Sequence, residues 1–239
     1  TVENVRRVAE ATAIWLKNTG GKQVVIGYDC RFGGVLFANT TASVLGAYGI
    51  KVLMSPDFSS TPMVSLGVAK TNSQLGVVIT ASHNPPDYNG YKLKSHFGGP
   101  LSPAQVSEVE ALVPEKCSLS VFPSIESLQE AGLFEYLDLE QMYLDHVEKS
   151  FDLEGIKKAK VGVAYDAMYG AGQHAMPRIL PDAHCLHCDF NPSFKGQAPE
   201  PIHKNLQELS DLIANNPDIQ LGIATDGDAD RIGLYDETG

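Results

Sequence analysis

Leu75-Gly76-Val77-Val78-Ile79-Thr80-Ala81-Ser82-His83-Asn84-Pro85-Pro86-Asp87-Tyr88-Asn89-Gly90-Tyr91-Lys92 passes from the most apolar strand-like run of the chain into a polar loop. A short run of this kind, apolar at every position and bounded by turn residues, reads as a strand buried on both faces, as in a parallel sheet. A loop leaving such a strand lies at the carboxyl edge of the sheet, where open α/β folds place ligands. Asn84 and the paired prolines stiffen it, and Asn89-Gly90 makes a tight turn. That turn returns Lys92 toward Ser82, with Lys94 on the same side of the returning strand. The plain alternative is that Ser82 caps a turn, His83 satisfies a carbonyl and Asn-Gly merely joins two strands. No Gly-x-Ser-x-Gly elbow surrounds Ser82, and the adjacent His83 does not suit a Ser-His-Asp hydrolase.

Upstream of this strand the periodicity alternates regularly. Val5, Val8, Thr12, Trp15 and Leu16 share one face of an opening helix, closed by Gly20-Gly21. A strand over Gln23–Tyr28, a helix over 34–48, a strand over Lys51–Ser55 and a helix from Thr61-Pro62 then lead to Leu75. Downstream of Lys92 the pattern loosens through Pro100, Pro103, Pro114 and Pro123, until Asp138–Ser150 reads as a helix. A second alternation begins with a strand at Lys160–Tyr165. It continues with a helix near 171–180, a short strand at 183–188, a helix over 204–215 and strands at Leu221–Ala224 and Ile232–Tyr235. The fold class is therefore α/β: two doubly wound α/β domains with mixed, mostly parallel sheets. The boundary falls in the polar stretch 152–158, giving domains 1–153 and 154–239. Both ends read as cut, so the sequence is expected to be a piece of a longer protein.

Leu221-Gly222-Ile223-Ala224-Thr225-Asp226-Gly227-Asp228-Ala229-Asp230-Arg231 repeats the form of the serine segment, a strand running into a polar loop. Three carboxylates two residues apart can turn their oxygens toward one hard cation, and would repel one another without it. A solvated acidic turn is the plain alternative. A calcium loop of EF-hand type needs glycine where Arg231 stands. An aspartyl-nucleophile phosphatase would use Asp226 as nucleophile and Asp228 as acid/base, and remains the competing reading.

Composition narrows the classes further. A net charge of −11 excludes a general nucleic-acid binder, yet local cations or a metal could still admit an anionic substrate. No apolar run approaches the roughly 18 residues of a membrane span, and Thr1–Asn4 lacks a signal-peptide pattern. The four cysteines make no disulfide framework, so a cytoplasmic location is expected. His184-Cys185-Leu186-His187-Cys188 looks like half a zinc site. Strand alternation would send Cys185 and His187 to one face and His184 and Cys188 to the other, which rules out a tetrahedral set. Gly170-Ala171-Gly172 lacks the third glycine of a dinucleotide fingerprint, and close helix packing accounts for it better.

Together, Thr80-Ala81-Ser82-His83-Asn84-Pro85 and Asp226-Gly227-Asp228-Ala229-Asp230-Arg231 closely resemble the α-D-phosphohexomutases. Asn89-Gly90-Tyr91-Lys92, Gly27–Arg31, Tyr165–Gly172 and Pro199-Glu200-Pro201 near Asn205-Leu206 extend the likeness over the whole chain. The resemblance implies an isomerase that interconverts hexose 1-phosphate and hexose 6-phosphate through a phosphoserine and a hexose bisphosphate. It implies that Ser82 is the phosphoserine and that Asp226, Asp228, Asp230 and Ser82 bind one Mg2+. It further implies Lys92 and His83 as catalytic neighbours, and Arg231 and Arg31 as phosphate-binding residues. Hexose 1,6-bisphosphate is the implied activator and a hexose phosphate the substrate, glucosamine phosphate included, with no nucleic-acid or membrane partner. Family members have four domains, so this chain would pack against C-terminal domains III and IV and be inactive alone. A lysine acting as base would need a pKa well below its usual value of about 10.4.

Overall fold

Thr1 caps the first helix, its hydroxyl accepting the Asn4 amide, and α1 runs over Val2–Asn18. The computed structural model describes all 239 residues. After α1 come β1 (Gln23–Tyr28), α2 (Gly34–Ala47), β2 (Lys51–Met54), α3 (Thr61–Lys70), β3 (Leu75–Ile79) and β4 (Tyr91–Ser95). Ser60 caps α3 by accepting the Met63 amide, and Pro62 occupies the first turn, where a missing N–H costs nothing.

The stretch after Lys92 is more ordered than its spacing of prolines suggests. It holds α4 (Pro103–Glu110), α5 (Ile125–Glu130) and the three-residue β5 (Phe134–Tyr136), followed by α6 (Leu139–Ser150) and α7 (Leu153–Lys158). A Ser102/Gln105 capping box fixes the start of α4. The second half contributes β6 (Val163–Asp166), α8 (Ala175–Ile179), β7 (His184–Leu186), α9 (Gln207–Ala214), β8 (Leu221–Thr225) and β9 (Ile232–Tyr235). Both α8 and α9 are shorter than the periodicity predicts, and a 3-10 turn over His203–Asn205 precedes α9.

Two sheets result, ordered β4-β3-β1-β2-β5 and β7-β6-β8-β9. Within each, all pairs are parallel except the one made by the strand that returns from a motif loop: β4 on β3, and β9 on β8. The wiring of β1 to β4 is thus repeated by β6 to β9. The serine loop follows β3 and the aspartate loop follows β8, which occupies the equivalent place.

Strand alternation sorts the first core into two layers. Val24, Ile26, Leu75, Val77 and Ile79 pack with Trp15 and Leu16 of α1 and Leu45 of α2. Val25, Leu53 and Val78 face the other way, onto Met63, Val64 and Val68 of α3 and Leu139 and Leu144 of α6. The second sheet has a smaller core, in which Ala164 and Ala224 meet Leu209 and Ile213 of α9.

The two halves share packing. Tyr169, Ala171 and Phe194 join the first core, and Arg178 of α8 pairs with Glu140 of α6 at 2.7 Å. No helix is long and apolar enough to cross a membrane.

The cysteine–histidine run departs from its expected geometry. β7 ends at Leu186, and His187 turns out of it at φ 50°. Strand alternation therefore fails beyond that point: Cys188 comes to lie beside Cys185, and burial together with this proximity pushes the Cys188 thiol up to about 12. His187 faces carboxylates instead, with Nδ1 2.9 Å from Asp166 and Nε2 3.1 Å from Glu208. All four cysteines are free, and the run gathers no cluster suited to a metal.

The Asp166 bond outweighs burial and raises the His187 pKa. A pKa raised on folding contributes stability that is complete below the unfolded value of about 6.5 and is lost as pH rises through the folded value. The melting temperature of the wild type, relative to His187→Phe, should therefore fall across that window. Equal pH profiles for the two proteins would contradict the assignment.

Candidate active site

β3 carries the chain to Ile79 at the edge of its sheet, and the next residues are held by their own side chains. Thr80 Oγ1 donates to the buried Asp29 Oδ2 at 2.6 Å and accepts the Ser82 amide at 2.8 Å. Ser82 adopts φ 53°, a conformation that costs a non-glycine residue about 1–2 kcal/mol and needs such support. Its hydroxyl points across the cleft and donates to Asp226 Oδ2 at 2.7 Å. The two motif loops, 144 residues apart in sequence, therefore meet directly. Gly227 permits this approach, since a Cβ there would lie 2.5 Å from the Ser82 carbonyl oxygen.

The three aspartates converge as their spacing suggests. One carboxylate oxygen from each lies within 4.8 Å of the others, with Asp226 and Asp228 buried and Asp230 exposed to the cleft. Asp226 Oδ1 accepts the amides of Asp230 at 3.0 Å and Arg231 at 3.1 Å. Asp228 Oδ2 accepts from Thr61 Oγ1 at 2.5 Å and from Lys92 Nζ at 2.7 Å, while its Oδ1 is buried with no partner. An orphaned, buried carboxylate oxygen among two further hard oxygen donors fits a metal ion, because leaving it unpaired is costly.

The electrostatics match this crowding. Burial, and then the charge of Asp228, push Asp226 up to about 6. Burial acts on Asp228 in the same direction, but the bonds from Lys92 and Thr61 outweigh it and hold Asp228 below the ordinary carboxylate range. The Lys92 pKa moves away from what a lysine acting as base would need. Burial does favour its neutral form, yet Asp228 and Asp230, the latter at 3.3 Å, outweigh burial and raise it. In this geometry Lys92 is a charged donor. Lys94 is the lysine that is lowered, by burial and by the charge of Lys92.

Arg231 is half exposed and faces the cleft. Its Nη1 donates to His83 Nδ1 at 2.6 Å, and its Nε lies 4.0 Å from both Asp226 and Asp230. Arg31 is placed otherwise. Its side chain is buried, and every donor is engaged by the serine loop or by Asp29, so no part of the guanidinium is free for a phosphate. The expectation of Arg31 as a direct phosphate ligand is therefore corrected to a brace behind the loop.

Thr61, Asp29 and Thr80 receive no site role from the sequence alone, although Asp29 and Thr80 lie within the motif stretches and Thr61 at a helix start. Thr61 binds Asp228 twice, through Oγ1 and through its amide, which donates to the Asp228 carbonyl at 2.9 Å. Gly170-Ala171-Gly172 also packs closely, but against the aspartate loop rather than a helix. The Ala171 amide donates to the Gly227 carbonyl at 3.0 Å, and a Cβ at Gly170 would lie 2.6 Å from the Asp226 carbonyl oxygen.

Comparison with known proteins agrees with this architecture. Residues 1–118 match phosphoglucomutase/phosphomannomutase alpha/beta/alpha domain I, and residues 141–239 match domain II. A Methanosphaera stadtmanae protein named probable phosphoglucosamine mutase is 35% identical over 246 residues, covering 100% of this chain and 52% of the relative. A phosphoglucomutase/phosphomannomutase of Thermococcus kodakarensis is 32% identical, with coverage of 100% and 52%. A crystal structure assigned as a phosphomannomutase of Thermus thermophilus superposes with a TM-score of 0.90 at 32% identity, covering 100% of this chain and 54% of that one. The chain spans about half the length of the curated relatives it matches. The chain belongs to the phosphoglucomutase/phosphomannomutase family, of which it carries domains I and II.

Proposed function

We propose that this chain supplies the phosphoryl-transfer half of a phosphohexomutase that interconverts hexose 1-phosphate and hexose 6-phosphate. The observation that carries the reading is the Ser82 hydroxyl held 2.7 Å from Asp226, inside a cluster of three carboxylates contributed by the other sheet. In the reaction a substrate hydroxyl oxygen attacks the phosphorus of phospho-Ser82. The new O–P bond forms as the Ser82 Oγ–P bond breaks and the proton of the substrate hydroxyl is passed to Ser82 Oγ, giving a hexose bisphosphate and a free serine. The bisphosphate then presents its other phosphoryl group: Ser82 Oγ attacks that phosphorus, the bond to the other sugar oxygen breaks and that oxygen takes up the serine proton, leaving the isomeric hexose monophosphate and phospho-Ser82.

Asp226, Asp228, Asp230 and Ser82 would hold one magnesium ion, which supplies positive charge opposite the transferring oxygens. Lys92 holds a proton at Nζ beside Asp228 and Asp230, and the planar fork of Arg231, steadied by His83, suits the remaining phosphate oxygens. Asp226 has both oxygens engaged by Ser82 and by two amides, which speaks against its acting as the nucleophile of a phosphatase. The chain is read as two units, 1–153 and 154–239, supported by a first sheet that ends at Tyr136 and a second that begins at Val163. We place the protein in the cytoplasm, with hexose 1,6-bisphosphate as activator and the rest of the polypeptide completing the cleft. The free cysteines support that location.

The complete protein should interconvert hexose monophosphates in the presence of magnesium and a trace of hexose bisphosphate. Net release of inorganic phosphate without isomerisation would support the phosphatase instead. The metal assignment has its own test. Saturating magnesium should raise the unfolding midpoint of this chain, by about 2.7 kcal/mol of stability at a hundred times its Kd. At the same magnesium concentration the shift should be much smaller in Asp228→Asn, and an equal shift in both proteins would contradict the site.

A further inference from the structure

The mutase reading leaves one buried cation unused. Arg31 is only 3% exposed, and its side chain is fully buried. A guanidinium has five N–H donors in one plane, and here all five are matched. Nε donates to Asp29 Oδ2 at 3.1 Å, Nη1 to the carbonyls of Pro85 at 2.7 Å and Tyr88 at 3.2 Å, and Nη2 to those of Ser82 and of Asn84 at 2.7 Å. Four carbonyls of a single loop are thereby gathered onto one rigid plane. The ring of Phe194, from the other half of the molecule, covers that plane at 5.0 Å.

Asp29 joins this brace to the serine a second time. Its Oδ2 accepts both Arg31 Nε and Thr80 Oγ1, and the same Thr80 oxygen accepts the Ser82 amide. Ser82 is thus anchored at its carbonyl by Arg31 directly and at its amide through Asp29 and Thr80. Those two anchors fix φ and ψ on either side of its Cα, and so select the left-handed conformation that aims Oγ at Asp226. An arrangement serving only to close the loop would not need to reach the serine from both sides.

We propose that Arg31, Asp29 and Thr80 form a positioning device that holds Ser82 in line for phosphoryl transfer; the proposal rests on Ser82 being the phosphoryl carrier. Displacing a reacting group by about 1 Å can cost about 10²-fold in rate. Arg31 offers no donor to substrate, so the loss belongs in kcat, with KM within about twofold of wild type. The device depends on five coplanar donors as well as on charge. Arg31→Lys, which keeps the charge but offers three donors on a flexible stem, should therefore lose nearly as much as Arg31→Gln.

The test uses the complete enzyme, with circular dichroism and melting as controls for folding. Arg31→Lys should lower kcat about 10²-fold and slow single-turnover phosphorylation of Ser82 by hexose bisphosphate to the same extent. Thr80→Val removes the amide anchor together with its link to Asp29, leaves the carbonyl anchor of Arg31 in place, and guards against an Arg31 variant that fails to fold. It should reduce kcat at unchanged KM, and Thr80→Ser, which restores the hydroxyl, should recover it. A folded Arg31→Lys or Thr80→Val protein with kcat within about twofold of wild type would overturn the proposal, as would a loss confined to KM. If wild-type Ser82 itself takes no phosphate, the mutase reading fails; if wild type and variants are phosphorylated equally fast, only the positioning device fails.

Discussion

Ser82→Ala is expected to abolish phosphoryl transfer in the complete enzyme, lowering turnover by about 10⁵-fold or more, the scale seen when a covalent nucleophile is removed. On the proposed mechanism the substitution deletes the oxygen that takes the phosphoryl group, so the covalent route is lost. Asp226, the nearest alternative, keeps one oxygen bound by the Arg231 and Asp230 amides and carries no hydroxyl to accept and release a phosphoryl group as a serine does. The fold should survive, because Ser82 is held through its backbone amide and carbonyl, which alanine retains. Lys92→Ala should be milder, about 10²–10⁴-fold, the usual range for loss of a proton-transferring group. Assays of isomerisation with the three proteins at matched concentration rank these effects directly. Wild-type turnover by Ser82→Ala would dismiss the covalent route.

Asp228→Ala is expected to have a large effect of a different kind, because this carboxylate joins Thr61 and Lys92 to the aspartate cluster. It accepts from Thr61 of α3 and from Lys92 of β4, and its free Oδ1 is the most exposed to the penalty of having no partner. A metal ion contributes several kcal/mol of charge stabilisation to a transfer of this kind, which corresponds to about 10³-fold in rate. Because Asp226 and Asp230 remain, part of that loss should return at high magnesium concentration. Activity titrated with magnesium should therefore show a raised half-saturation for Asp228→Ala. An unchanged half-saturation with reduced turnover would mean that Asp228 acts on Lys92 alone.

The parts of the site that the sequence discloses are those built from local pattern. Leu75–Ile79 is apolar at every position because β3 is covered on both faces, whereas the strand before Asp226 is fully buried only at alternate positions. Each strand dictates where its loop emerges, and the repeated wiring of the two sheets brings equivalent loops together. α4 was within reach too, since Ser102-Pro103-Ala104-Gln105 carries a capping box despite the surrounding prolines. β5 was not: it has three residues, two of them exposed, and exists because β2 offers it an edge.

Long-range partners are harder to read. Thr61 and Asp228 are separated by 167 residues, and nothing near Thr61 marks it except the helix start it occupies. The charge state of Lys92 depends on two carboxylates from the other sheet, which nothing in its own stretch of sequence discloses. Arg31 is a similar case. An arginine near a strand end resembles a phosphate ligand until its five donors are followed to the carbonyls that use them.

Peptide mapping by mass spectrometry tests the central assignment most directly, after incubation of the complete protein with hexose 1,6-bisphosphate and magnesium. The expected result is a single acid-stable phosphate on the peptide containing Ser82, absent from Ser82→Ala and present on Lys92→Ala only at longer times. Stoichiometric, acid-labile phosphate on the peptide containing Asp226, retained in Ser82→Ala, would contradict the account and identify an aspartyl phosphatase in its place.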